Sequence, residues 1–306
     1  IVAEVLYDKD KKKATGVRVI DAMTKEETVY NSKIIFLCAS AVASATILMQ
    51  SKSEAFPNGM GNSSGELGHN IMDHQLGAGV SGTIDGYLDR YYIGRRPNGV
   101  YIPRFRNVNK NSEKVNFLRG YGYQGGAYRG SGWGWQDSVP EYSYGKDLKE
   151  NILKPGGWAF GMGGFGEVLP YHENHFFLNY DKLDQYGLPT IVFDAEFKEN
   201  ERLMKEDWLI QGQEMLDASG FKNIKVFDGK APIGRGIHEM GTARMGYDPK
   251  TSVLNRNNQL HEVSNVFVTD GACMTSAANQ NPSLTYMALT ARAANFAVGE
   301  LKKQNI

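Results

Sequence analysis

Cysteine is scarce in this chain of 306 residues, with only Cys38 and Cys273 present. Both lie in apolar, strand-like surroundings and form no metal-ligand spacing. A disulfide would need the fold to bring them together, and none is expected. Long apolar runs are missing too: no stretch reaches the roughly 18 residues that mark a membrane-spanning helix. Charge of one sign is not in excess, since Lys plus Arg and Asp plus Glu both number 34. That balance argues against nucleic acid as a partner and leaves a neutral small molecule or another protein. No secretory signal opens the chain. It begins at Ile1, and residues 2–7 already read as the interior of a strand, so a further segment is expected to precede it. Internal repeats and low-complexity tracts are also absent.

Glycine and aromatic rings, by contrast, are plentiful, at 35 Gly and 11% Phe, Trp and Tyr. The segments VAEVLY, GVRVID and KIIFLCAS predict three strands within residues 2–40, with the charged run at 8–13 as a solvated turn. The apolar run at 34–37 suits a strand buried on both faces. It leads into small residues at 39–45 and a short helix ending near Gln50. Such a strand–turn–helix unit lets backbone approach a ligand. Residues 52–75 read as loop and include GELGHNIMDH.

From 76 to 200 strands alternate with Gly-aromatic stretches such as RGYGYQGGAYRGSGWGWQ, and two strands are expected around a turn at 184–187. Residues 199–219 form an amphipathic helix that offers Leu203, Trp208, Leu209 and Met215 to one face and ends at Gly220. A strand at 222–227 follows. NVFVTDGA then predicts a strand and turn, and residues 283–301 an Ala-rich helix.

Two segments have chemical character. In GIHEMGTARMG, residues 236–246, His238 stands among glycines and can face a ligand, although a lone histidine is more often a hydrogen-bonded structural residue. In VTDGACMTSAANQNPSLT, residues 268–285, a strand ends at Asp270, and Gly271 and Ala272 are expected to leave backbone open to a ligand. Asn281 and Pro282 suit the N-cap and first position of the last helix. That helix terminus would stabilise an anionic group, or act as a plain cap. His172 and His175 have metal-ligand spacing, but no nearby Cys or His completes a set, so no metal is expected.

Taken in order, HEMGTARMG and VFVTDGACMTSAANQNPSLT resemble the C-terminal signature of the glucose–methanol–choline (GMC) oxidoreductases. Upstream, IIFLCASAVASATILMQS and GNSSGELGHNIMDH resemble that family's strand and helix near the adenine end of FAD and its following loop. The resemblance implies FAD as cofactor of the full-length protein, with His238 as catalytic base and Asn281 hydrogen-bonding the substrate oxygen. It implies cofactor contacts at Ala39, Ser40, Asp270, Gly271, Ala272, Pro282 and Leu284. Segments such as RRPNGVYIPRFRN, FLRGYGYQGG and FGEVLPYHENHFFLNYDKLDQYGLP resemble bacterial members near the gluconate dehydrogenase and glucoside 3-dehydrogenase groups, and more distantly the pyranose oxidases. The expected activity is oxidation of a hydroxyl on a sugar, glycoside or sugar acid, by a dehydrogenase rather than an oxidase. The aromatic rings could stack on a sugar or fill a β-rich core. Gln124, Glu167 and Asn174 are candidate partners for its hydroxyls.

One motif of the family is absent: no G-x-G-x-x-G follows a strand and opens a helix, so the main cradle for the FAD pyrophosphate is not written here. The chain therefore reads as a fragment. The expected fold is α+β, a partial FAD-binding α/β domain joined to an antiparallel-sheet substrate domain with helices. Residues 1–75 would belong to the FAD-binding domain, 76–232 to the substrate domain, and 233–306 to the catalytic segment and the return to the first domain. The alternative is a flavin-free remnant that binds carbohydrate or a protein. A small partner subunit and an electron acceptor are implied for the full-length protein. The compartment, bacterial periplasm or cytoplasm, stays open.

Overall fold

The computed structural model of the chain describes residues 1–89, 99–110, 112, 114–129, 144–152 and 156–306. The GSGWGWQ stretch and the RRPN at 95–98, both singled out in the sequence, lie outside the described residues. In chain order the elements are strands β1 (Val2–Asp8), β2 (Lys13–Ile20), β3 (Glu27–Asn31) and β4 (Ile35–Leu37), helix α1 (Ala41–Gln50), strands β5 (His74–Gln75), β6 (Ala78–Ile84), β7 (Gly99–Ile102) and β8 (Tyr121–Arg129), and helix α2 (Lys146–Ile152). Strands β9 (Trp158–Glu167), β10 (His175–Leu183) and β11 (Pro189–Asp194) come next. Helix α3 (Glu199–Ala218), strands β12 (Lys222–Asp228) and β13 (Val266–Val268), and helix α4 (Ser283–Lys302) complete the chain.

The chain forms two compact units. The first comprises Ile1–His74, Val168–Glu196 and Ile233–Ile306; the second comprises Gln75–Glu167 and Phe197–Pro232. The sequence suggested one continuous middle domain over 76–232. Val168–Glu196 instead joins the first unit, because Phe176 and Leu178 of β10 bury their side chains in that unit's core.

In the first unit β1, β2 and β3 form an antiparallel sheet, β10 and β11 a hairpin, and β13 pairs in parallel with β4. Ala3, Val5 and Ala14 alternate inward from β1 and β2, as a period of two requires. The charged turn between them is held by Asp8 Oδ1, which accepts from the backbone N–H of Asp10 and Lys11, both at 3.0 Å. Strand β3 is exposed along its whole length, so it has no apolar period, and the sequence did not reveal it. Strand β4 is not buried on both faces as expected. Ile35 and Leu37 point into the core, while Phe36 turns outward and stacks on Phe267 at 4.9 Å between ring centres. In α1, Ala41, Ala45 and Leu48 face the core, and the small residues let this helix lie close to the 3₁₀ turn at Gly271–Cys273. Helix α4 buries Ala293 and Ala297 against Phe267 and Ile306.

The second unit is an antiparallel sheet of order β12-β6-β9-β8-β7 with α3 packed on it. Of the four residues the sequence offered for the α3 face, only Trp208 is fully buried; Glu201 is buried in the first turn, and Met204, Gly212 and Leu216 complete a stripe with Trp208. These positions recur at four-residue spacing, which keeps them on one side of the helix. A Cβ at Gly164 would lie 2.5 Å from the Trp208 ring, so glycine in β9 makes the seat for the indole. Glycine beside aromatic residues here serves helix-on-sheet packing. Tyr121 and Tyr123 are buried in the same core, and burial raises both phenol pKa values. The whole is mixed α/β with antiparallel sheets and few helices, in the class the sequence indicated. Among the described residues no helix is long and apolar enough to cross a membrane.

Removing the indole should leave a cavity lined by β9 and α3. Trp208→Ala is expected to lower stability by about 3–5 kcal/mol, read as a lower urea midpoint. A midpoint within error of the parent would show that α3 does not depend on this seat.

Candidate functional site

The site lies in the first unit, where two loop segments run antiparallel. Met72 and Met240 exchange backbone hydrogen bonds, both 2.9 Å. Gly68 N–H donates to Thr242 O at 2.6 Å, and Thr242 N–H to His69 O at 2.9 Å. The fully buried Asp73 locks this pairing. Its Oδ2 accepts from the N–H groups of Gly234 (2.9 Å) and Gly236 (2.7 Å), and its Oδ1 from His74 N–H at 2.6 Å. A Cβ at Gly236 would stand 2.2 Å from Asp73 Oδ1, so glycine is needed for this approach. Glu66 adds a second tie, accepting from Asn70 Nδ2 at 2.9 Å and pairing with Arg244 at 3.2 Å.

This frame presents His238. Its Nδ1 lies 3.0 Å from His74 Nδ1, and its Nε2 lies 3.3 Å from Asn281 Nδ2. His74 in turn points Nε2 at the Ala278 carbonyl oxygen. Four residues thus form one hydrogen-bonded line, from the Ala278 backbone through two imidazoles to the exposed Asn281 amide. His238 is half-buried, which leaves the end of the line open to a ligand.

Asn281 is not the N-cap of α4, contrary to expectation. Pro282 occupies that place with helical φ and ψ and no capping side chain, and the helix starts at Ser283 rather than at the proline. The Asn281 amide is thereby released from capping and turned toward His238. The first turn of α4 has no acidic residue and no capping side chain, and Ser283, Leu284 and Thr285 are exposed there.

The other expected contacts gather at the ends of β4 and β13. Asp270 Oδ2 accepts from Ser44 Oγ at 2.5 Å and Ser40 N–H at 3.1 Å, and its Oδ1 from Ala272 N–H at 2.9 Å. Burial pushes the Asp270 pKa up against these donors. Its carboxylate therefore works as a structural hub joining the two turns. Gly271 and Ala272 are buried, which corrects the expectation of open backbone. A Cβ at Gly271 would come 2.3 Å from Glu239 O, so this glycine makes room for the segment carrying His238. Ala39 and Ser40 are exposed and border a cleft of about 620 Å³ shared with Val42, Ile47 and Ile191.

Of the three candidate hydroxyl partners, Asn174 belongs to the first unit and Gln124 and Glu167 to the second. Asn174 is buried in the first unit, where its amide exchanges hydrogen bonds with Glu196, donating at 3.0 Å and accepting at 3.2 Å. Glu167 is buried in the second unit against Arg104 Nη1 at 2.5 Å, and burial raises its pKa despite that partner. Both side chains are spent on structure. Gln124 is half-buried in β8, opposite Tyr101 and Gly163. The rings of His172 and His175 stack on His69, with centres 4.1 and 4.8 Å away, so their spacing builds a ring stack. Among the described residues no group of three or more His, Cys, Asp or Glu is placed to hold a metal. Cys38 and Cys273 are free thiols, and burial pushes the Cys273 pKa up to about 12. Sequence reasoning missed Asp73 and His74. They stood in the quoted GELGHNIMDH, where an acid next to a histidine in a Gly-rich loop was the available signal.

Residues 1–76 match the N-terminal model, and residues 173–290 the C-terminal model, of the family described as GMC oxidoreductase. The chain belongs to the GMC oxidoreductase family. It is 29% identical over 289 residues to 2-methyl-1,2-propanediol dehydrogenase of Mycolicibacterium austroafricanum, covering 93% of the chain and 51% of that protein. It is 25% identical over 298 residues to the fructose dehydrogenase large subunit of Gluconobacter japonicus, covering 96% and 52%. A third relative is the gluconate 2-dehydrogenase flavoprotein of Pantoea cypripedii, 25% identical over 296 residues, with 92% and 46% covered. The chain thus spans about half the length of these curated relatives. Among solved structures, formate oxidase of Aspergillus oryzae shares the fold at a TM-score of 0.65 and 13% identity, with 99% of this chain and 60% of that chain covered.

Burial lowers the pKa of His69 and of His74, the latter further through the adjacent His238. A histidine whose folded pKa lies below its ordinary value of 6.5 contributes stability that is present above that pH and lost as pH falls through the folded value. The buried Asp270 and Glu167 carboxyls have raised pKa values and act with the opposite sign. Comparison with a variant isolates the histidine share. His69→Asn is expected to show a smaller drop in urea midpoint than the parent between about pH 7 and pH 5. Equal drops would contradict the shift.

Proposed function

We propose that this chain carries the substrate side and the proton-transfer pair of an FAD-dependent dehydrogenase that oxidises a CH–OH group of a sugar, glycoside, sugar acid or related polyol. The observation that carries this reading is the meeting of His238 Nε2 and Asn281 Nδ2 at 3.3 Å, on an accessible edge beside the uncapped start of α4. A substrate hydroxyl between them would donate to His238 Nε2 and accept from Asn281 Nδ2–H. His238 then takes the hydroxyl proton while Asn281 steadies the oxygen as it gains charge. Both groups act on one atom, and holding that atom between two fixed side chains supplies the orientation the step needs.

The residues present fit part of the cofactor. The uncapped N–H groups at the start of α4 suit an anionic ring edge, and Ala39 and Ser40 open onto the cleft beside α1. Pro282, itself buried, sets the start of that helix. Asp270, Gly271 and Ala272 would support these positions from beneath. The G-x-G-x-x-G spacings at 120–125 and 161–166 run through strands β8 and β9 and open no helix, so the pyrophosphate would need a cradle from elsewhere in the full-length protein. The chemistry that bound FAD supplies is acceptance of the hydride from the carbinol carbon.

Support for the substrate class comes from relatives named as fructose, gluconate and diol dehydrogenases. The words "large subunit" in one of those names support a smaller partner subunit for the full-length protein as well. The purified full-length protein is expected to be yellow, with a flavin absorbance band. It should oxidise sugars or polyols in a screen that uses an artificial electron acceptor. His238→Ala is expected to lower turnover by on the order of 10²–10⁴ while keeping that band. A colourless protein that takes up no FAD would favour the flavin-free binding remnant. Near-normal turnover in His238→Ala would remove the histidine from the reaction.

A further inference from the structure

The neighbours of His238 determine which of its ring nitrogens carries the proton. His74 Nε2 faces the carbonyl oxygen of Ala278, and a carbonyl only accepts, so that nitrogen bears a hydrogen. His74 is 1% exposed, and burial together with the neighbouring imidazole disfavours a second proton on it. His74 Nδ1 therefore keeps a lone pair. It lies 3.0 Å from His238 Nδ1, so the hydrogen between the two rings belongs to His238. His238 Nε2 is then the bare nitrogen, and it faces the Asn281 amide N–H at 3.3 Å. Each contact along the line joins one donor to one acceptor. The opposite arrangement would set a lone pair of His74 against the Ala278 carbonyl, or leave a charged imidazolium buried.

We propose that His74 is a positioning residue that holds neutral His238 in its Nδ1–H form and so keeps Nε2 free to accept a proton from a hydroxyl. The inference rests on the reading of His238 as the base. It assigns to His74 a role that neither the motif around His238 nor that around Asn281 contains. The proton from the hydroxyl oxygen goes to His238 Nε2. The resulting imidazolium still donates its Nδ1–H to His74, whose own Nε2–H stays on Ala278. No proton need reach His74 for this to work. The ring orientation is set from the backbone side, because His74 N–H is held by Asp73 and Ala278 follows the turn at Gly271–Cys273. Which nitrogen of a histidine is protonated is generally set by the bond that its other nitrogen makes.

The direct test is nitrogen-15 NMR of the histidine-labelled chain, with the His238 signals assigned by their loss in His238→Gln. The expected pattern at neutral pH is a protonated Nδ1 and a bare Nε2. His74→Leu, which removes the acceptor, should shift His238 toward the Nε2–H form. His74→Asn, whose amide oxygen can stand near the place of Nδ1, should restore the Nδ1–H form. Should the leucine variant fail to fold, His74→Gln replaces it, since its amide reaches the Nε2 position instead; Asn and Gln are then expected to differ. In the full-length enzyme, His74→Leu or His74→Gln should lower kcat by on the order of 10²-fold with little change in KM, and His74→Asn should recover most of it. An Nε2–H form in the unsubstituted chain overturns the proposal. So does an Nδ1–H form that survives in the folded leucine variant, or equally in both amide variants. The NMR readout needs no turnover. The expected spectra combined with normal turnover of His238→Ala would sink the catalytic reading while tautomer control by His74 stands.

Discussion

The buried carboxylate of Asp73 is the interaction on which the candidate site depends. A charge removed from water costs free energy unless donors replace the lost hydration, and here three backbone N–H groups do so. Those donors come from Gly234, Gly236 and His74, so one side chain fastens the loop before His238 to the loop that ends at His74. The Met72–Met240 pair continues the contact as an antiparallel bridge, and Met72, Met240 and Ala277 close a small apolar cluster beside it. Within residues 234–238 Ile237 is 82% exposed and packs little, so the Asp73 hydrogen bonds to Gly234 and Gly236 are the main tie ahead of His238.

From that anchor the chemistry follows by short steps. Asp73 sets the His74 backbone, His74 lies between Ala278 and His238, and His238 meets Asn281. A second hub, Asp270, ties the turn after β4 to the turn after β13, and Gly271 lets Glu239 pass close by. Two acids far apart in sequence thus position one imidazole between them, and neither has to touch a substrate. Release of Asn281 from the helix cap serves the same end. Pro282 takes the N-cap place without a side-chain acceptor, and the asparagine amide stays free for the histidine.

The parts of the fold with a strong apolar period were legible in the sequence. The β1–β2 hairpin, the β10–β11 hairpin, α1, α3 and α4 all lie close to where patterning put them, because burial on one face writes itself into residue spacing. Strand β3 was invisible, since an exposed edge strand has no inward face to mark it. The middle boundary was misplaced because Phe176 and Leu178 look the same whichever core receives them. At the site, His238 and Asn281 could be named from motif and resemblance. The roles of Asp73 and His74 could not, since each depends on a contact across more than 160 residues of chain. Asn174 and Glu167 failed as open sugar contacts for a similar reason. A polar residue looks available in sequence until the partner that occupies it is seen.

The central claim is that His238 and Asn281 converge on a single substrate oxygen. A crystal structure of the full-length protein with FAD and a bound, slowly reacting sugar or polyol tests it most directly. The account predicts one hydroxyl oxygen within hydrogen-bond distance of both His238 Nε2 and Asn281 Nδ2, in place of their direct contact. A substrate hydroxyl bound away from His238, with the His238–Asn281 contact intact, would contradict it.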